Sequence, residues 1–217
     1  MRGWRRSRVV RALRPVLQGL AFLILRRWVR LEIVHPERAA RIPVPSILIF
    51  NYQGSYAGLV AMRALPWRVR SRLAVAADAA VFGGRDRWQG LLISLAVQAF
   101  PFPKTGRVAR RGLVEMERWL RSGFAVMIAP EGAPSLSPEA GPFFNGLGYV
   151  ALRTRVPIVP LRLEGYDALF DDTISFPWLP KRSGRVRLYV GEPFRIPDGM
   201  DRRAATALAR ETLLATR

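Results

Sequence analysis

The chain of 217 residues contains no cysteine, one histidine (His35) and two lysines (Lys104 and Lys181). The absence of cysteine removes any disulfide framework and all thiol chemistry. There is no metal-ligand cluster, no nucleotide-type phosphate loop and no serine-hydrolase elbow. Neither a metal nor a cofactor is therefore expected. There is also no internal repeat and no low-complexity stretch, and the only candidate for a mobile loop is residues 135–141. No apolar run reaches the roughly 20 residues that a spanning helix needs. The longest N-terminal one, Val16-Leu17-Gln18-Gly19-Leu20-Ala21-Phe22-Leu23-Ile24-Leu25, falls well short.

Positive charge, by contrast, is abundant. Thirty-five basic residues, nearly all arginine, face 16 acids, for a formal net charge of +19. Such a balance suits an anionic partner, either nucleic acid or an anionic membrane surface; a bias of overall composition toward arginine is the plainer alternative. No nucleic-acid recognition motif or basic-aromatic stacking platform accompanies the charge, so nucleic acid is not expected as a partner. Its distribution points instead to anionic membrane lipid. The first thirty residues carry Arg2, Arg5, Arg6, Arg8, Arg11, Arg14, Arg26, Arg27 and Arg30 and no acid. A basic region before an apolar stretch resembles a signal peptide, but Arg26-Arg27-Trp28 stands where a small-residue cleavage site should be. Residues 1–30 are therefore expected to form two short helices, broken near Pro15, lying in the membrane interface with Trp4 and Trp28 at its boundary. An ordinary amphipathic helix packed on the domain is the alternative for this segment.

From residue 31 to the C-terminus the pattern alternates. Strands are expected at 31–34, 46–50, 73–76, 100–102, 124–128, 157–163 and 185–190. Helices are expected at 55–64, 88–97, 108–121, 146–153 and 202–215. The alternation implies one α/β domain, residues 31–217, with a mostly parallel sheet flanked by helices.

Four segments carry the chemistry. The first, Phe50-Asn51-Tyr52-Gln53-Gly54-Ser55-Tyr56-Ala57, joins an apolar strand to a helix. The second is Phe100-Pro101-Phe102-Pro103-Lys104, and the third is Pro130-Glu131-Gly132-Ala133-Pro134-Ser135, followed by Pro142-Phe143-Phe144-Asn145-Gly146. The fourth is Val156-Pro157-Ile158-Val159-Pro160-Leu161. In order and spacing these resemble the four motifs of the glycerolipid acyltransferases, the family of bacterial lysophosphatidate acyltransferase. The resemblance runs from about residue 31 to the C-terminus, and the N-terminal segment resembles that family's membrane anchor.

The resemblance implies an acyltransferase-like fold and acyl transfer from acyl-carrier protein or acyl-coenzyme A to a glycerolipid-type alcohol such as lysophosphatidate. It also implies a peripheral or monotopic place on the cytoplasmic face of the inner membrane. In the family a histidine takes the proton of the acceptor hydroxyl and an aspartate five residues later orients it. Here Tyr52 and Ala57 occupy those two positions. An unperturbed phenol has a pKa of about 10 and is a poor base at neutral pH, and alanine can orient nothing. The alternative that follows is an inactive family member that binds lipid or acyl chains at the membrane. Asn51, Gln53, Ser55, Lys104, Glu131 and Gly132 are the candidate substrate-binding residues. Lys104 would hold the acceptor phosphate, Glu131 would contact its hydroxyls, and Gly132 would permit a tight turn. Pro134 and Phe144 stand where the family carries basic residues. An acyl-chain groove is expected near Phe102, Phe143 and Val159. Outside the motifs, Asp78 is expected at a strand's C-terminal edge, and His35 as a surface or capping residue.

Overall fold

A computed structural model of the chain describes residues 8–54, 56–82, 95–103, 106–132, 141–167, 169 and 182–217. The described elements, in order, are α1 (Arg8–Arg26), β1 (Val29–Val34), α2 (Pro36–Arg41), β2 (Ile47–Phe50), α3 (Ala57–Arg63), α4 (Trp67–Arg70) and β3 (Leu73–Asp78), which runs into a 3-10 turn (Ala79–Phe82). There follow β4 (Ala99–Phe102), α5 (Gly106–Arg121), β5 (Ala125–Ile128), α6 (Gly146–Thr154), β6 (Ile158–Glu164), β7 (Gly184–Val190) and α7 (Arg202–Ala215). The strands form one seven-stranded sheet in the order β1-β7-β6-β2-β5-β3-β4. All neighbours pair in parallel except β6 and β7. The expected α/β fold with a mostly parallel sheet is what forms.

The central strands β2 and β5 are wholly buried, as their unbroken apolar sequences require of strands covered on both faces. Strand periodicity then divides the core in two. Leu48, Phe50, Met127, Val159 and Leu161 pack with residues of α2, α3 and α4. Ile47, Ile49, Val126, Ile128 and Ile158 pack on the other face with residues of α5, α6 and α7. Val159 therefore lies on one face and Phe102 and Phe143 on the other, so these three do not line a common groove.

Residues 8–26 form a single helix, with Pro15 inside it, rather than two helices broken there. Pro15 deletes one backbone donor, but the side chains of Arg14 and Gln18 on either side of it are fixed to the domain. Their burial holds the helix on course. The helix is amphipathic in an inverted sense. Arg14 and Gln18 are buried, whereas Leu13, Val16, Leu20, Leu23 and Ile24 are half-exposed or more. These apolar residues recur at spacings of three and four and make one outward stripe. Among the described residues no helix is long and apolar enough to cross a membrane. Most of the helix expected at 88–97 lies outside the described residues; 95–97 are helical.

Candidate active site

Because β2, β5, β3 and β4 run parallel, their C-terminal ends share one edge of the sheet, the edge where sites in α/β folds gather. The first segment leaves β2 there and the third leaves β5. Ile49 and Ile128 are in register, so Asn51 and Pro130 emerge side by side.

Asn51 is buried and fully committed to the sheet. Its amide nitrogen donates to the Leu163 carbonyl (2.9 Å) and its amide oxygen accepts from the Leu163 N–H (2.7 Å). The side chain acts as one more rung of the β2–β6 ladder beyond Phe50, which fixes the direction in which the first segment leaves the strand. Glu131 ties that segment to the third. Its carboxylate accepts the Tyr52 N–H at 2.9 Å on Oε1 and the Gly141 N–H at 2.8 Å on Oε2. The Gly141 carbonyl in turn accepts from Arg210 Nε on α7 (3.0 Å). Burial pushes the Glu131 carboxyl above its ordinary pKa, and the two backbone donors and the Arg210 charge act against that shift. Each carboxylate oxygen keeps a second lone pair for a further donor.

Gly132 turns with φ 69, and the Phe144 ring occupies the space a side chain would need. A Cβ there would lie 2.4 Å from the ring, so glycine is required on two counts. Tyr52 is half-buried and packs against the core cluster on the α3 face; Ala57 belongs to the same cluster and has no solvent exposure. Gln53 is buried, and its side-chain oxygen has no hydrogen-bond partner among the described residues.

The structure thus brings together Asn51, Tyr52, Gln53, Ala57, Glu131 and Gly132. Ser55, Lys104 and Pro134 lie outside the described residues. Asp78 ends β3, in register with Phe102, and β3 is two strands from β2, about 10 Å by ordinary strand spacing. His35 is further away, at the end of edge strand β1. It adopts a left-handed turn before α2 and sits 3.2 Å from Glu37. Three contributors had no local signal in the sequence. Gly141 and Arg210 complete the Glu131 network, and the buried Tyr166 hydroxyl accepts the Tyr56 N–H (2.9 Å) ahead of α3.

A family model described as Acyltransferase matches residues 31–164, which contain every site residue above except Arg210 and Tyr166. The chain belongs to the acyltransferase family. A relative described as a probable 1-acyl-sn-glycerol-3-phosphate acyltransferase of Mycoplasma pneumoniae is 25% identical over 159 residues, 70% of this chain. The match spans 56% of that relative's length. The crystal structure of the 1-acyl-sn-glycerophosphate acyltransferase PlsC from Thermotoga maritima superposes with a TM-score of 0.65. It covers 99% of this chain and 83% of its own, at 17% identity, a likeness of fold. In this chain the segment after β2 is thus held in place by Asn51 and Glu131, while Ala57 lies in the apolar core and Tyr52 packs against it.

Proposed function

We propose that this protein binds an acyl donor and a glycerolipid-type alcohol at a membrane surface, and transfers acyl groups between them weakly or not at all. The family reaction joins the acceptor oxygen to the thioester carbonyl carbon, expels the thiolate, and needs a base for the hydroxyl proton. One observation carries the reading: Ala57 is sealed inside an apolar cluster against which Tyr52 packs. Neither position offers a base or a group to orient one. The binding frame is retained in Glu131 and Gly132.

Acyl transfer from acyl-carrier protein or acyl-coenzyme A to lysophosphatidate is the second reading, favoured by the preserved Glu131 network. The outward stripe on α1, with exposed Arg26 and Arg27 at its end, supports peripheral or monotopic attachment through residues 1–30, with residues 31–217 as the domain. The charge excess favours an anionic leaflet such as the cytoplasmic face of the inner membrane.

The test is thioester consumption by the parent, Tyr52→His, Ala57→Asp and the double variant, beside lysophosphatidate binding. Binding without turnover in the parent, with turnover rising only in the double, is the expected result. General-base catalysis contributes about 10²–10⁴-fold, and a paired base and orienter act as a unit. Rapid turnover by the parent would select the second reading, and absence of lipid binding would remove both.

A further inference from the structure

The face that α1 turns toward the domain is apolar at its C-terminal end, where Leu25 is buried and Phe22 packs on the core, but polar in its N-terminal half. A helix that merely rested on the core would bury its leucines and leave arginine in water. Here Arg14 is 3% exposed and Gln18 1%. A buried guanidinium is tolerated only when it is hydrogen-bonded. Arg14 donates through Nε to the Leu95 carbonyl (3.2 Å) and through a terminal nitrogen to Gln98 Oε1. Gln18 donates to the Ala96 carbonyl (2.9 Å) and accepts from Arg70 (3.1 Å). The Arg70 guanidinium lies over the rings of Phe22 and Trp67, at 5.2 and 5.5 Å.

The acceptors on the far side all fall within four residues, Leu95 to Gln98. Residues 95–97 are helical, and Gln98 takes a left-handed conformation, φ 54, before β4 starts at Ala99. That is the geometry of a helix C-terminus, where carbonyls lose their partners and a positive charge is favoured. Glycine is the usual residue at such a turn. Glutamine accepts the steric penalty, and in return its side chain reaches Arg14, while its carbonyl accepts the Val75 N–H at 3.3 Å. The turn is thus held from α1 on one side and from β3 on the other.

We infer that Arg14 and Gln18 are positioning residues for the ligand site, acting through Gln98 on strand β4. β4 carries Pro101 and Phe102 to the edge of the sheet where the first and third segments lie. The helix whose outer stripe faces away from the domain therefore sets, with its inner face, the placement of β4, the outermost strand at that edge and two strands from β5. That a lipid bound at this edge extends across β3 to β4 is part of the inference, and that lipid binds at this edge at all rests on the reading under Proposed function.

The experiment uses the full chain, Arg14→Met, Arg14→Lys and Gln98→Gly, with hydrogen exchange of residues 95–102 and calorimetric titration of oleoyl-lysophosphatidate. Arg14→Met and Gln98→Gly are expected to speed exchange in 95–102 several-fold while β2 and β5 keep their protection, and to weaken lysophosphatidate binding. Arg14→Lys should restore part of both. Gln98→Gly separates positioning from stability, because relief of the left-handed strain offsets part of the hydrogen bond lost by Arg14: its melting temperature should fall less than that of Arg14→Met while affinity falls as much. Unchanged exchange in both Arg14→Met and Gln98→Gly overturns the inference, even if the parent binds no lysophosphatidate. A parent that binds, with Gln98→Gly binding equally well, overturns the link to the site. A parent that does not bind removes the reading under Proposed function and leaves the exchange result to decide the positioning.

Discussion

Ala57 has no contact with solvent and lies in an apolar cluster, so a carboxylate there must find a partner or destabilise the fold. Breaking or omitting one half of a buried charged pair costs about 3–5 kcal/mol. Ala57→Asp alone should lower the unfolding free energy measured in urea by that order, Tyr52→His should change it little, and the double should recover part of the loss as the imidazole takes up the carboxylate. A single Ala57→Asp as stable as the parent would show that the position can reach water. Glu131 poses the opposite case, a carboxylate already buried. Its pKa is raised by burial above the ordinary carboxylate value of about 4.5, so between the ordinary and the raised value the native state holds the proton more tightly than the unfolded chain. Stability should then fall as pH rises from 4.5 through the raised value, with the whole penalty present above it. Glu131→Gln should flatten this part of the pH–stability curve. It should also weaken the fold at every pH, because a carboxamide turns an N–H toward one of the two backbone donors it now serves. A slope unchanged by Glu131→Gln would assign the titration to another group.

Among the described helices, α6 and α7 pack most closely, and a glycine permits it. A Cβ on Gly148 would come within 2.2 Å of the Arg202 carbonyl at the start of α7, and the Gly148 N–H donates to Thr206 Oγ1 at 3.1 Å. The obstacle is backbone, held by the Asp201 cap on the Arg203 and Ala204 N–H groups, and cannot swing aside. Gly148→Ala should therefore destabilise the protein by about 1–3 kcal/mol, the usual cost of overpacking, despite alanine's better helix propensity. A melting temperature at or above the parent's would mean that the two helices slide apart freely. Elements with a long periodic pattern were legible in the sequence: α7 spans Arg202–Ala215 as expected, and the central strands fall within a residue of their expected limits. The short helices α2 and α4 were not, since each has too few residues to show a helical period. The site was legible as a set of segments and not as a set of contacts. Asn51 looks like a substrate ligand in a motif, yet it pairs with Leu163, 112 residues away. Glu131 depends on Arg210 through Gly141, and Gln98 on Arg14; no local pattern announces such pairs. Proline at position 15 suggested a break because the side chains that hold the helix on both sides have their partners in residues 95–98.

At the scale of the molecule the sheet separates two helical layers, and among the described residues the largest run of exposed apolar side chains lies on one helix, α1. Removing that helix is a poor test of its role, because Arg14, Gln18 and Leu25 are buried and β1 begins at Val29, within two residues of the helix end. The stripe itself can be altered without touching the core. Leu20 and Leu23 are 54% and 65% exposed, and full burial of a leucine in an apolar phase is worth about 1.5–3 kcal/mol. Leu20→Ser with Leu23→Ser should therefore weaken partition into phosphatidylglycerol-containing vesicles by roughly tenfold or more, with the melting temperature near the parent's. The excess of arginine adds a second, separable contribution. Each basic residue near an anionic surface adds about 1 kcal/mol and is screened by salt, so binding should also fall with rising ionic strength and with neutral phosphatidylcholine in place of the anionic lipid. The double serine variant should keep the salt dependence while losing the apolar part, because its arginines are intact. Vesicle flotation across a salt series measures both. Equal flotation of parent and variant at every salt concentration would mean that charge alone brings the protein to the surface, and that the stripe on α1 faces something other than lipid.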